Sequence, residues 1–233
     1  MIHPRIKRGF VFFILIVALL IGPLFSCTNH QAHQVSAGHE PATQQRFNDV
    51  EAWVKRFEDP ERDKWQKPAE VVKAMNLREG DVVADIGAGT GYFTRHIAVA
   101  VGPSGKALGL DIEPGMVEYM KEDAKKLNLN NYEARVVRTD DPELAPHSVD
   151  VIFLCDTYHH IENRVEYFSN IIPSLKPGGR VVVVDFIKDS DFGPPRDHKM
   201  AQEVVVDELQ RAGYKLIRTH ALLPYQYFLE FGM

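Results

Sequence analysis

Short apolar segments alternate with helical segments along most of the chain. The apolar segments are VVADI (82–86), KALGLDI (106–112), YEARVVR (132–138), VDVIFLC (149–155) and RVVVVDFI (180–187). Helical spacing of apolar residues is found at 47–57, 68–75, 91–101, 114–127, 161–175 and 198–212. This alternation predicts βαβ units and a parallel sheet. The run VVVVDF is almost entirely apolar, as expected for a strand covered on both faces.

The last part of the sequence has a different pattern. Two strand-like segments, 214–222 and 225–231, are separated only by Leu223 and Pro224. Two residues are too few for the crossover that joins parallel strands, so this pair is predicted to be antiparallel.

The first 27 residues have the pattern of an export signal. Arg5, Lys7 and Arg8 precede an unbroken apolar run at 10–22. That run is shorter than the roughly 20 residues needed to span a bilayer, and a basic segment before a short apolar one is typical of a secretory signal. The run ends in LFSC, which resembles a bacterial lipobox with Cys27 as the lipidated residue. We therefore expect a membrane-attached lipoprotein of the bacterial cell envelope; the alternative is an uncleaved signal anchor.

A polar segment, 28–46, follows the signal. It contains one valine, no other large apolar residue and no apolar periodicity. Such a composition is typical of a flexible tether. The predicted organisation is therefore a signal peptide or anchor at 1–27, a linker at 28–46 and one folded domain at 47–233.

A glycine-rich turn, DIGAGTG (85–91), follows the first strand of the domain. Glycines there let the backbone approach a ligand and adopt positive φ. The dinucleotide fingerprint G-x-G-x-x-G would require glycine or alanine at position 92, which is Tyr92. The Asp85 carboxylate disfavours a pyrophosphate but favours a ligand that carries an ammonium and a sulfonium. The turn thus indicates S-adenosyl-L-methionine rather than NAD.

A series of motifs in order along the chain resembles the class I S-adenosylmethionine-dependent methyltransferases, especially the quinone- and sterol-methylating type. The motifs are DIGAGTG (85–91), LGLDIEPGM (108–116), VRTDDPEL (137–144), VDVIFLCDTYHHI (149–161) and SLKPGGRVVVVDF (174–186). The resemblance covers residues 68–233. It implies an α/β, Rossmann-like, seven-stranded and mostly parallel sheet with an antiparallel C-terminal strand and helices on both faces.

The resemblance also implies which residues bind the cofactor. Asp111 would bind both ribose hydroxyls, since a carboxylate accepts two hydrogen bonds well. Asp140 would accept from the adenine amino group, with its neighbour Asp141 as the alternative. The backbone near Leu154 and Cys155 would face the methionine part. The predicted cofactor-binding residues are Asp85, Gly87, Ala88, Gly89, Gly91, Asp111, Ile112, Asp140, Asp141, Leu154 and Cys155.

The candidates for catalysis lie on CDTYHHIE (155–162), which leaves the fourth strand. A base is needed only if the acceptor is protonated at its reacting atom, and histidine titrates near neutrality. His159 or His160 is therefore the candidate base, and Tyr158 is a candidate contact of the acceptor. The alternative is that one histidine packs structurally and the other caps a helix. The segment 56–68, with Trp65, is interpreted either as a substrate cover or as packing for the first helix.

The charge and the cysteine content of the chain argue against two kinds of partner, nucleic acids and metal ions. Beyond residue 27 the chain has 24 basic and 32 acidic side chains, a poor composition for binding a phosphate backbone. Its two cysteines, Cys27 and Cys155, show no zinc-type spacing with histidines, so neither a nucleic-acid partner nor a metal is expected. A small-molecule methyltransferase is the preferred interpretation. The alternatives are an exported, non-catalytic binding protein of the same fold and an NAD-dependent oxidoreductase.

Lipidation at Cys27 can be tested by labelling with palmitate in a bacterial host. The wild type should incorporate label, and Cys27→Ser should abolish it, because the acyl chains are attached to this residue. Cys155→Ser is the matched control and should label like the wild type. Equal labelling of the wild type and Cys27→Ser, or no labelling of either, would contradict the lipoprotein prediction.

Overall fold

The computed structural model describes residues 50–233. The predicted signal or anchor, the linker and the start of the first helix lie outside these residues. The helices are α1 (Val50–Phe57), α2 (Arg62–Gln66), α3 (Pro68–Ala74), α4 (Thr94–Val101), α5 (Pro114–Leu127), α6 (Arg164–Ile171) and α7 (Gln202–Arg211). The strands are β1 (Val82–Ile86), β2 (Lys106–Asp111), β3 (Tyr132–Val136), β4 (Val149–Cys155), β5 (Leu175–Phe186), β6 (Lys215–His220) and β7 (Gln226–Gly232). No helix among them is both long and apolar enough to cross a membrane.

The described strands form one seven-stranded sheet in the order β3-β2-β1-β4-β5-β7-β6. Strands β1 to β5 are parallel, and β7 pairs antiparallel with both β5 and β6. The predicted α/β fold, with its antiparallel C-terminal pair, is confirmed. The strand order reverses between β1 and β4, which is where ligands bind in open α/β sheets.

Two apolar layers cover the sheet. On the first face, Leu154 and Val183 pack with Phe168 of α6 and Leu209 of α7. On the second face, the alternate strand residues pack with side chains of α3, α4 and α5. Both layers include residues of β5, in which Val181 to Val184 are all fully buried. The continuous apolar run therefore reflects a strand that has no solvent-facing side.

The boundaries around β5 differ from the prediction. Helix α6 ends at Ile171, and a 3-10 turn over Ile172–Ser174 leads directly into β5. The strand begins at Leu175 because Leu175 pairs with Val149 before an irregularity in the β4–β5 register. The short helix α2 is a further difference, since the charged composition of its sequence gave no apolar periodicity.

A buried ion-pair network joins the antiparallel end of the sheet to the parallel part. The Glu230 carboxylate on β7 accepts from Arg180 Nε of β5 at 2.9 Å and contacts His220 Nε2 of β6 at 2.6 Å. Its side chain is 4% exposed. The same guanidinium donates to the Met75 carbonyl after α3. One carboxylate thus links three strands and the α3 layer.

Replacement of Glu230 by Ala should lower the free energy of unfolding by about 3 kcal/mol, because loss of one partner leaves buried positive charge unpaired. Asp207→Ala is the matched control, since Asp207 pairs with Arg211 at 3.3 Å while 66% exposed. The control should change stability by less than about 0.5 kcal/mol. Denaturant unfolding of both variants measures the difference, and equal losses would contradict the assigned role of Glu230.

Candidate active site

The glycine-rich turn after β1 can accept only glycine at positions 87 and 91. Gly87, Gly89 and Gly91 have φ of 72°, 55° and 76°, in the left-handed region. A Cβ at Gly91 would lie 1.7 Å from the Tyr132 hydroxyl, and one at Gly87 would lie 2.3 Å from the Thr157 side chain. No larger residue fits these two positions without displacing β3 or the β4 exit loop. The turn therefore keeps its backbone exposed toward the carboxyl end of the sheet.

Asp111, at the end of β2, fixes this turn. One carboxylate oxygen accepts from the Gly89 amide at 2.8 Å, and the other accepts from the Glu113 amide at 3.0 Å. Burial raises the pKa of this carboxyl, and the two amide hydrogen bonds act in the opposite direction. The Gly87 and Ala88 amides both donate to the Leu110 carbonyl at 2.8 and 3.1 Å. The turn and the end of β2 thus form one rigid unit.

Asp85 lies beneath the turn. It is 3% exposed and accepts a hydrogen bond of 2.6 Å from the Thr94 hydroxyl at the start of α4. Burial raises its pKa to about 7, with a smaller contribution from the charge of Asp111. A cationic ligand next to this carboxyl would favour its ionised form. A glycine cradle, an anchored carboxylate and a buried acid therefore suit S-adenosylmethionine, with its ribose, ammonium and sulfonium.

The other predicted cofactor residues occupy different environments. Asp140 and Asp141 are exposed, and Arg138 binds both carboxylates at 3.0 Å. Their segment continues from β3 beside Asp111, whose carbonyl accepts from the Val137 amide at 3.0 Å. The segment therefore leaves β3 beside the end of β2, and the contact of Asp140 or Asp141 with the adenine stays a prediction. Ile112, half-buried, directly follows Asp111.

At the β4 exit, Leu154 is fully buried, so only its backbone can face a ligand. Cys155 lies next to it, and its sulfur receives a hydrogen bond from Gln66 Nε2 at 2.9 Å. Burial raises the pKa of this thiol well above its usual value. The thiol is therefore protonated at neutral pH, which agrees with the absence of any predicted nucleophilic role.

Helices α1 and α2 lie over the glycine turn. A Cβ at Gly89 would be 3.4 Å from the Phe57 ring. Glu58 binds Arg95 of α4 through two hydrogen bonds of 2.7 and 2.8 Å, and the Tyr92 hydroxyl donates to Asp63 at 2.5 Å. Tyr92, whose size argued against a dinucleotide site, therefore serves to hold this N-terminal segment.

Asp156, directly after β4, has an unusual backbone conformation, and side-chain amides from two other elements bind its carboxylate. Its φ is 54°, a left-handed conformation in a residue other than glycine. Gln66 Nε2 of α2 donates to one carboxylate oxygen at 3.1 Å, and Gln226 Nε2 of β7 donates to the other at 2.6 Å. Burial, followed by the charge of Asp185, raises its pKa to about 6. Neither glutamine was predicted, because nothing local in the sequence marks them.

His159 and Asp185 form a hydrogen-bonded pair near the carboxyl end of β5. His159 Nδ1 lies 2.9 and 3.1 Å from the two Asp185 oxygens, and a carboxylate can only accept, so Nδ1 carries a proton. The two side chains are 9% and 0% exposed. Burial acts to lower the pKa of His159, but the Asp185 hydrogen bond and the charges of Asp185 and Asp156 raise it overall. Sequence reasoning missed Asp185, although a single acid within VVVVDF signals a buried carboxylate that needs a partner.

The other two catalytic candidates differ from His159. The His160 ring lies tilted against the His159 ring, with a centroid distance of 4.1 Å, and burial together with the His159 charge lowers the pKa of His160 to about 4. His160 is more exposed than its neighbour and has no carboxylate to orient it in the described structure. Tyr158 is fully buried, stacks on Phe168 and donates to Glu208 at 2.9 Å. The prediction that Tyr158 contacts the acceptor is therefore corrected: it belongs to the α6–α7 packing.

Trp65 packs on an aromatic cluster rather than on α1. Its ring lies 5.8 Å from Phe186 and 5.0 Å from Phe192, and Phe192 stacks on Tyr225 at 4.2 Å. These four aromatic residues form a cluster that joins α2 to the carboxyl end of β5. Among the described residues, no cluster of three His, Cys, Asp or Glu side chains could hold a metal ion.

Comparisons with known proteins agree with this geometry. A protein-family model described as a methyltransferase domain matches residues 77–215. An arsenite methyltransferase of Halobacterium salinarum is 30% identical over 124 residues, covering 53% of this chain and 31% of that protein. A demethylmenaquinone methyltransferase of Oceanobacillus iheyensis is 26% identical over 121 residues, covering 52% and 50%. The chain thus spans half or less of the length of these two relatives.

A solved structure extends the likeness over the whole described fold. A SAM-dependent methyltransferase from Aquifex aeolicus superposes with a TM-score of 0.74 at 28% identity, covering 78% of this chain and 97% of that one. The family model matches more than half of the chain, so this chain belongs to the methyltransferase-domain family, and its fold and glycine turn are those expected of a site for S-adenosylmethionine.

Proposed function

We propose that this enzyme methylates a small molecule whose reacting atom carries a proton, with His159 as the base and Asp185 as the residue that orients it. The observation that carries the proposal is the His159–Asp185 hydrogen bond, at 2.9 Å, beside the exit of β4. The two named relatives act on arsenite and on demethylmenaquinone, which are both small molecules. The names of these relatives support a small acceptor but do not identify it. The identity of the acceptor must be inferred from the chemistry of the site.

The cofactor supplies a methyl group on a sulfonium, which is already activated for transfer. The contribution of the chain is therefore mainly to hold the two reactants in line and to exclude water. The glycine turn and Asp111 form the rigid part of the cofactor site. Helices α1 and α2 cover that turn, and Phe57 lies against its middle glycine. Asp140 or Asp141 is proposed to contact the adenine, and Ile112 and the Leu154 and Cys155 backbone complete the site.

The pairing of His159 explains why it is preferred over His160 as the base. Donation from Nδ1 to Asp185 fixes the ring and leaves the Nε2 lone pair to accept a proton. Asp185 would also stabilise the imidazolium that forms, and the raised pKa of His159 supports this role. The lowered pKa of His160 makes it a weaker base at the same pH. The pair therefore has the arrangement expected for general-base catalysis.

We also propose that the enzyme works at the bacterial cell envelope, attached through lipid on Cys27 or, alternatively, through an uncleaved signal anchor. The basic start, the apolar run at 10–22 and the LFSC motif support this location. A flexible tether over residues 28–46 would have a root-mean-square reach of roughly 22–26 Å. That reach favours acceptors in or close to the membrane.

Cofactor binding can be measured by calorimetry with S-adenosylhomocysteine. The full chain should bind it and should not bind NAD. Asp111→Ala should weaken binding roughly 10- to 100-fold, because hydrogen bonds to a charged group contribute about 1.5–3 kcal/mol. Asp207→Ala, on exposed α7, is the control and should bind like the wild type. NAD binding without S-adenosylhomocysteine binding, or an unchanged affinity in Asp111→Ala, would contradict the assigned site.

Histidine titration followed by NMR tests the His159–Asp185 pair without any acceptor. His159 should titrate above its usual pKa of 6.5 and His160 below it. In Asp185→Asn the raising contributions of the carboxylate are lost while burial still lowers the pKa, so the His159 midpoint should move to lower pH. Asp189→Asn, an exposed acid, is the control and should leave it unchanged. A His159 midpoint that does not respond to Asp185→Asn would contradict the pairing.

A further inference from the structure

Tyr227 carries a buried hydroxyl that has no hydrogen-bond partner among the described residues. Tyr227 is 5% exposed and lies on the sheet face covered by α6 and α7. In the β5–β7 register it stands directly opposite Asp185. Opposite residues on antiparallel strands point to the same face with Cβ atoms about 4.5–5.5 Å apart. Its ring therefore stands next to the carboxylate that orients His159.

A tyrosine hydroxyl without a hydrogen-bond partner is unusual on this face of the sheet. Two other buried tyrosines of the same face have their hydroxyls satisfied: Tyr158 donates to Glu208 and Tyr214 donates to the Phe168 carbonyl, both at 2.9 Å. A buried hydroxyl without a partner is costly, and most buried polar atoms in proteins have one. The Tyr227 hydroxyl is therefore placed for a group that is not part of the chain.

The groups that face Tyr227 are the groups that face His159. The charges acting on the Tyr227 hydroxyl are those of Asp185, Asp156 and Arg164, together with the hydroxyl of Tyr158. Asp185, Asp156 and Arg164 also act on His159. Tyr227 of β7 stands opposite Asp185, which binds His159 of the β4 exit, so they belong to one group of polar side chains. We define this group by His159, Asp185, Asp156 and Tyr227 and call it the polar chamber.

The charge of this chamber restricts what can enter it. Asp156 and Asp185 contribute two carboxyl groups. Arg164 is bound by Glu208 through hydrogen bonds of 2.7 and 2.9 Å, and Arg62, whose charge also acts on Asp156, donates to the Gln66 side chain and the Phe57 carbonyl. A phosphate or carboxylate would add a third negative charge at low dielectric, which the single charge of Arg62 does not compensate. The chamber therefore suits a neutral or cationic reacting group.

We propose that Tyr227 is a specificity residue that donates a hydrogen bond to the reacting oxygen of a neutral or cationic hydroxyl compound, while His159 accepts the proton of that oxygen. This inference rests on the proposed function. A hydroxyl oxygen has two lone pairs, so one can receive the Tyr227 hydrogen bond while the other attacks. An amine has a single lone pair and cannot do both. The chamber thus selects oxygen over nitrogen as the methyl acceptor.

The atoms balance in this step. The acceptor oxygen forms the new bond to the methyl carbon, and the methyl–sulfur bond breaks with its electron pair remaining on sulfur. The hydroxyl proton moves to His159 Nε2, and the imidazolium is stabilised by Asp185. Tyr227 remains protonated throughout, since burial, together with the charges of Asp185 and Asp156, raises its pKa far above neutrality.

The test uses the full chain with labelled histidines and three probes of similar size: phenol, aniline and benzoate. With S-adenosylhomocysteine present, phenol should shift the His159 NMR signal in a saturable way, and benzoate should bind at least several-fold more weakly. With S-adenosylmethionine instead, phenol should be methylated faster than aniline, because only then must the acceptor lone pair attack. Tyr227→Phe should weaken phenol binding about 3- to 10-fold, as expected for a neutral hydrogen bond. Tyr167→Phe, a buried tyrosine of the same face, is the control and should bind phenol normally. Benzoate binding as tightly as phenol, aniline methylated as fast as phenol, no response to phenol, or an unchanged phenol affinity in Tyr227→Phe would each overturn the proposal.

Thermal unfolding separates this role from a structural one. Tyr227→Phe removes an unsatisfied buried hydroxyl, so its Tm should stay the same or rise by a few degrees. Tyr214→Phe removes a bonded hydroxyl and should lower Tm by a few degrees. A fall in Tyr227→Phe equal to that in Tyr214→Phe would show a structural hydroxyl and overturn the proposal. Failure to bind S-adenosylhomocysteine at all would instead refute the proposed function, whereas normal binding with the wrong probe preference refutes this inference alone.

Discussion

The acceptor side of this enzyme depends on one carboxylate buried in an apolar strand. Asp185 follows four fully buried valines on β5 and is itself inaccessible to solvent. A charge in that position is stable only if donors surround it. The His159 ring supplies one donor, and the amide of Phe186 supplies another at 2.8 Å. The need to satisfy Asp185 therefore fixes the orientation of the histidine and brings the β4 exit loop onto the end of β5.

The cofactor side rests on a different kind of constraint, which is steric. The glycine turn passes so close to Tyr132 and Thr157 that side chains at its first and last glycines are excluded. Asp111 then ties the turn to β2 through the Gly89 amide. The two sides meet at the β4 exit, where Asp156 receives amides from α2 and β7. Rigid backbone thus forms the cofactor side, and polar side chains form the side where we propose that the acceptor is activated.

The sequence predicted the features that depend on local pattern. The strand–helix alternation, the antiparallel ending and the glycine turn all follow from residue spacing, and the structure has each of them. The contacts that complete the acceptor side depend instead on which strands become neighbours. Asp185 meets Tyr227 only because β7 inserts beside β5, and Gln66 reaches Asp156 from 90 residues away along the chain. No local pattern encodes such pairings, and Tyr158 was misassigned because its neighbours on α6 and α7 could not be foreseen.

The position of β7 in the sheet has a consequence for the order in which the enzyme matures. β7 is the last described strand in the sequence, yet it lies between β5 and β6 and is buried over nearly its whole length. During synthesis β5 must remain without its antiparallel neighbour until residues 226–232 have left the ribosome. The same segment brings Gln226 to Asp156 and Tyr227 to Asp185. The cofactor half can therefore form from residues that precede β7, whereas the proposed acceptor half is completed only when β7 pairs with β5.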